Sequence, residues 1–197
     1  MKQVWLISLL LFAGCSSIQP HIVEYKIAPN IDKIEIHSLS CKTKSLKVGR
    51  VFSSSELMSQ NMRYTKGSYK EFFFTESKWA ITPNSAISSA FINSINAQNI
   101  FANVSSFKSR SRSDLILETN IEDFMQYFAN DTNSSYVKIA FTSSLVDSKK
   151  NKVIDTIHLV QKLEVPTVDA EGGVKALNKI FSKLLQANNE WLAGSCK

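Results

Sequence analysis

No stretch of this sequence is apolar for long enough to cross a bilayer. Residues 4–14 are the candidate, and at 11 residues they fall short of the roughly 18 to 20 that a spanning helix needs. Cysteine and histidine are scarce: Cys15, Cys41 and Cys196, with His21, His37 and His158. They stand singly, without the short ligand spacings of a zinc site, so no metal is expected. There is no Gly-x-Ser-x-Gly elbow, no His-Glu-x-x-His pair and no glycine-rich phosphate loop, so neither enzymatic activity nor a cofactor is expected. Basic runs interleaved with aromatics are also missing, which removes the usual footprint of nucleic-acid binding. The densest basic cluster, residues 108–112 (KSRSR), reads as a solvated loop between strands. Charge of either sign is missing from residues 79–107, where a surface helix would normally carry Lys and Glu.

What is present begins at the N-terminus. Lys2 is followed by the apolar residues 4–12, then by the small residues Ala13 and Gly14 and by Cys15. That order is the layout of a secretory signal. Ala13-Gly14-Cys15 resembles the lipobox of bacterial lipoproteins, with Phe12 standing where Leu is usual. The resemblance implies cleavage before Cys15, diacylation of its sulfur and acylation of its new amino group. Several acyl chains hold a protein on a membrane far more firmly than one, at about 0.8 kcal/mol per buried methylene. Ser16 in place of Asp implies, by resemblance to enterobacterial sorting, the periplasmic face of the outer membrane. The expected division is a signal over residues 1–14, a lipidated tether over 15–21 and one domain over 22–197.

The mature chain keeps 183 of the 197 residues and loses Lys2, leaving a net charge of about +5 where the full sequence has +6. An excess of that size favours adhesion to anionic surfaces. Cys41 and Cys196 are a candidate disulfide, since an exported chain meets an oxidising compartment.

Period-two patterning predicts short strands at residues 21–27, 34–37 and 45–51. A hairpin turning at Gly67 follows, with Tyr64 on its first arm and Phe72, Phe73 and Phe74 on its second. Three consecutive phenylalanines cannot share one face of a strand. Thr82-Pro83 reads as a helix start, and Ile87, Ala90, Phe91 and Ile95 recur at helical spacing. The opposite face, Ser and Asn throughout, is either ordinary chance or a surface that docks another protein, where charge would be costly to desolvate. Residues 115–128, 136–146 and 152–165 form three long strands, an antiparallel meander, with a bulge where the apolar phase slips at Glu122-Asp123. A last helix buries Val174, Leu177, Ile180, Phe181, Leu184 and Leu185, with Lys175, Lys179 and Lys183 on the other side. Gly172 and Gly173 weaken its start by about 1 kcal/mol each. The fold class expected is α+β: a curved, mostly antiparallel sheet with two main helices packed on it.

Tyr25, Leu46-Lys47-Val48, Tyr64, Phe72 to Phe74, Trp79-Ala80 with Pro83, Phe101, Val104, Phe124, Ala176-Leu177 and Trp191 occur in an order that resembles the ABC-type transport auxiliary lipoproteins. The resemblance covers about residues 22–192; the usual proline-rich segment after the second strand is absent from residues 51–60. It implies an accessory lipoprotein that docks a mammalian-cell-entry (MCE) domain protein of an ABC transporter moving lipids between inner and outer membranes. Implied partners are that protein, the membrane, phospholipid and further copies of the chain. Tyr64, Phe73, Trp79 and Phe91 are the candidate docking residues, each alternatively a core residue. A competing reading is an outer-membrane lipoprotein that regulates a peptidoglycan synthase.

Overall fold

The computed structural model describes residues 21–33 and 41–195. The first elements are short: β1 (Val23–Tyr25), β2 (Ser45–Val48) and β3 (Phe52–Ser53), then a 3-10 turn over Ser55–Met58. The hairpin strands β4 (Asn61–Lys66) and β5 (Lys70–Trp79) lead into α1 (Pro83–Gln98) and β6 (Asn103–Ser106). Three long strands, β7 (Leu115–Phe128), β8 (Ser135–Asp147) and β9 (Lys152–Glu164), precede the closing helix α2 (Ala170–Ser195). The predicted strand at residues 34–37 lies outside the described residues.

The long strand β7 organises the sheet. One edge pairs antiparallel with β8 along its whole length, and β8 pairs antiparallel with β9, as the meander predicts. The other edge is tiled end to end by three short parallel strands: β2 beside Leu115–Leu117, β3 beside Asn120 and Ile121, and β4 beside Gln126–Phe128. Beyond these, β6 runs parallel to β2, β5 antiparallel to β4, and β1 parallel to β5. The nine-stranded sheet is therefore mixed. Antiparallel pairing dominates only its long ladders, because the short strands before β7 reach it through crossovers and not through hairpins.

Alternation along the long strands puts one face on the core. Leu117, Ile121 and Phe124 of β7 and Val137, Ile139, Phe141 and Leu145 of β8 are buried. The predicted apolar stripe of α2 packs on them, and Leu177, Ile180, Phe181, Leu184 and Leu185 are all buried. Phe91 of α1 reaches the same layer, its ring edge-on to Phe141 at 5.3 Å and to Phe181 at 6.1 Å. Both helices therefore cover one face of the sheet and leave the other to solvent.

The ends of α1 follow local chemistry. Pro83 opens it with a φ suited to the first turn, and Asn99 closes it in the left-handed region at φ 53°. Thr82, the predicted cap, donates its hydroxyl to Ser85 Oγ at 3.0 Å and accepts from no backbone amide of the first turn.

Candidate docking surfaces

The β4–β5 hairpin turns at Gly67, whose φ of +66° suits the position. Residues then alternate sides. Tyr64 points toward the helix side and gathers Phe72 (ring centroids 5.5 Å apart, stacked), Phe74 (4.6 Å) and Phe128 (5.0 Å, edge-on). Phe73 points to the open face, where the Arg63 guanidinium lies 4.7 Å from its ring centroid and bonds Glu71 at 3.0 Å. Phe72 and Phe73 remain 40% and 47% exposed. Tyr64 and Phe73 thus share a hairpin but serve opposite faces: Tyr64 is a half-buried organiser, Phe73 a presented side chain.

Trp79 and Phe91 are core residues. Trp79 lies edge-on to Phe124 at 6.2 Å, and Phe91 is wholly buried. The missing charge of α1 also has an internal cause. Three of its polar residues are buried and bond to other parts of the chain: Asn84 Nδ2 donates to the Val51 carbonyl, Gln98 Nε2 to the Asp32 carbonyl, and Ser94 Oγ accepts from Asn189 of α2; Ser85, Ser89, Asn93 and Asn96 stay exposed. A Lys or Glu at those positions would lose its water with no counter-charge to meet it.

A groove of about 560 Å³ opens beside the ring cluster, between β1, the hairpin and the start of α2. Tyr25, Tyr64, Phe74 and Phe128 give it an aromatic wall, and His21, Lys66, Asp169 and Glu171 line its rim. Asp169 is held well below the usual carboxylate range, chiefly by the Gly172 backbone amide at the helix start. Phe128 completes this wall and was not singled out from the sequence. Its signal in the sequence is its place four residues after Phe124, in phase with it on the strand 115–128.

On the open face the predicted bulge falls at Glu122, between the Ile121–Phe141 and Asp123–Ala140 pairs. It turns both carboxylates to the same side. Glu122 accepts from Thr142 at 2.6 Å and meets His158 Nε2 at 3.0 Å, and its pKa is lowered first by the Thr142 bond and then by His158. Asp123 pairs with Lys138 at 2.8 Å and accepts from the Tyr127 hydroxyl at 2.7 Å. Burial, together with that carboxylate, pushes the Tyr127 hydroxyl well above its ordinary value. These groups neutralise one another, and the described residues hold no cluster of three or more metal-ligating side chains. No described helix is long and apolar enough to cross a membrane.

Cys15 and Cys196 lie outside the described residues. Cys41 is disulfide-bonded, and its sulfur is 3.6 Å from the Leu192 carbonyl oxygen near the end of α2.

With this arrangement in hand, the solved structure of protein XCC0632 from Xanthomonas campestris, of family DUF330, superposes with a TM-score of 0.78. The two share a fold. The alignment covers 88% of this chain and 96% of that one at 12% identity. A second solved structure, of an uncharacterized protein, matches at a TM-score of 0.64 over 82% of this chain and 99% of the other, also at 12% identity. Lipoprotein GNA1162 from Neisseria meningitidis aligns at 0.38, too loosely to bear on the fold. No protein-family model and no curated protein sequence matches the chain.

Proposed function

We propose that this chain is a non-enzymatic accessory lipoprotein of an ABC-type lipid transport system, held by Cys15 on the periplasmic face of the outer membrane. It works by docking an MCE-domain protein of that system. The observation that carries the reading is the Phe73–Arg63 pair, 4.7 Å apart on the open sheet face. Aromatic and arginine side chains of this kind are the ones that interfaces bury at their energetic centre, and the Tyr64 ring cluster holds this pair rigid from behind. The lipobox and the order of aromatics shared with the auxiliary lipoproteins support the same reading. Within the domain, the polar groups best placed for chemistry, Glu122, Asp123 and His158, are engaged with one another and with neighbouring side chains across the open face.

The test is purification of the lipidated protein from native membranes in mild detergent, with mass spectrometry of what accompanies it. An MCE-domain protein, with its permease and ATPase, is expected. Phe73→Ala should lose that partner while keeping its thermal midpoint, because the side chain is half exposed and leaves no cavity. A peptidoglycan synthase in its place would sink the transport reading.

A further inference from the structure

The net positive charge is not spread over the molecule. Three turns meet at the end of the sheet where β7 begins: residues 41–45 before β2, residues 107–114 before β7, and the β8–β9 turn. Ser148 N donates to the Asp114 carbonyl, Ser45 N to the Asp114 carboxylate, and Lys47 Nζ to the Ser109 and Ser111 carbonyls, so the three are tied together. They carry Lys42, Lys44, Lys108, Arg110, Arg112, Lys149, Lys150 and Lys152, all exposed but the half-buried Lys44. The carboxylates among them are spent internally. Asp114 accepts from both the amide and the hydroxyl of Ser45 and reaches Lys149 at 3.3 Å, and Asp147 accepts from the Lys149 and Lys150 amides. Asp155, nearby on β9, is turned to Trp191 and Ser195 of α2. Eight cations against Asp114, Asp147 and Asp155 leave a net +5, equal to the +5 that the mature chain carries, so the remainder of the molecule is close to neutral.

The first described residue lies at the other end. His21 lines the groove with Lys66, Phe128 and Thr132, at the end of the sheet where β7 finishes. Cys15 is six residues before His21, a reach of about 20 Å at 3.3 to 3.6 Å per residue. The strand β7, 14 residues long, spans about 45 Å at roughly 3.3 Å per residue. The basic end is therefore the part of the domain farthest from the residue at which the tether enters it.

We propose that this end is a second docking surface, and that it recognises an acidic protein surface on the side of the molecule away from the anchor. Its orientation rests on Cys15 as the anchor of the proposed function; its charge does not. A concentrated, uncompensated field of one sign steers an oppositely charged partner and fixes its orientation. The tying of the three turns by Asp114 and Lys47 keeps the field in place when it is met.

The experiment uses the full lipidated protein in zwitterionic nanodiscs, with poly-L-glutamate as the acidic polypeptide and phosphatidylglycerol vesicles as the competing surface. Poly-L-glutamate should bind at about 50 mM salt and be lost by about 500 mM, where screening shortens to a few ångströms. The triple variant Arg110→Glu, Arg112→Glu, Lys150→Glu should bind at least about tenfold more weakly. Lys66→Glu, Lys70→Glu, Lys162→Glu, the same charge change near the other end, should bind as the wild type does. Equal weakening by both triples would mean that bulk charge alone is at work and would overturn the proposal. So would the absence of poly-L-glutamate binding, or a preference for the phosphatidylglycerol vesicles, which would make this end a membrane contact. Cys15→Ala separates the two readings: loss of the anchor detaches the protein from membranes but leaves detergent-free poly-L-glutamate binding intact.

Discussion

Gly173 shows how a residue that looks like a weakness in sequence is required in space. Helix propensity alone favours alanine there by about 1 kcal/mol. In the structure a Cβ at Gly173 would overlap Gln126 Oε1, and Gln126 cannot swing away, because its Nε2 donates to Ser135 Oγ at 2.9 Å and to the Asp169 carbonyl at 3.2 Å. Overpacking of this kind costs about 1 to 3 kcal/mol, so the close approach wins. Gly173→Ala should lower unfolding stability by about 1 to 2 kcal/mol in a urea titration; an unchanged or raised midpoint would show that the contact is soft. At Asp114 the same scale sets a pH dependence. Its bonds from the Ser45 amide and hydroxyl, then Lys149, hold its pKa down at about 2 from an ordinary 3.8. The folded form refuses a proton that the unfolded chain accepts, so the contribution is complete above about pH 5 and is lost as pH falls toward 2. Wild type should therefore lead Asp114→Asn by a constant margin near neutrality, and the two should converge in acid.

At the level of the element, periodicity was legible where burial is one-sided. The three long strands, the bulge at Glu122 and the apolar stripe of α2 all follow from inward residues alternating at a period of two or recurring at helical spacing. What escaped the pattern was pairing. Nothing in the two residues of β3, or the four of β2, says that they line up on one edge of β7, because parallel partners are set by distant crossovers and not by an adjoining turn. The helix α1 was legible as a helix and misleading as a surface. Its uncharged polar residues read alike in sequence, and only the structure divides them: Asn84, Ser94 and Gln98 are buried and bonded within the chain, while Ser85, Ser89, Asn93 and Asn96 stay exposed. Phe91 lies on the buried side, the core alternative that the sequence also allows. Phe91→Ala should cost about 3 to 5 kcal/mol, the usual loss for emptying a buried ring site, since both Phe141 and Phe181 would lose a face of packing. Calorimetry checks it; a loss under about 1 kcal/mol would mean that α1 collapses freely onto the sheet.

For the molecule as a whole, composition gave the size of the net charge and hid its distribution. Residues 108–112 read alone as a solvated loop; Lys42 and the β8–β9 turn, far off in sequence, turn that loop into part of a face. The candidate site divided in the same way. Tyr64 and Phe73 were legible as hairpin aromatics, while their opposite facing, and the closure of the wall by Phe128, came from register. Cys41, which is disulfide-bonded, lies beside Leu192 near the end of the last helix, and Cys196 is the partner we expect. Peptide mapping without reductant should recover Cys41 linked to Cys196, and reduction should lower stability by about 2 to 4 kcal/mol. A free Cys196 thiol would refute that pairing.

The tiled edge of β7 has a consequence for the order in which the chain can fold. A polypeptide delivered across a membrane N-terminus first releases β2, β3 and β4 long before Leu115–Phe128, the strand they must join. Until that strand emerges, the hairpin of β4 and β5 has no sheet to extend, and the helix-facing core still lacks β8 and α2. In a chain that emerges N-terminus first, the first half of the domain thus lacks its sheet until the second half has appeared. Folding is postponed to the moment at which the last strands arrive, and the topology itself acts as the timer.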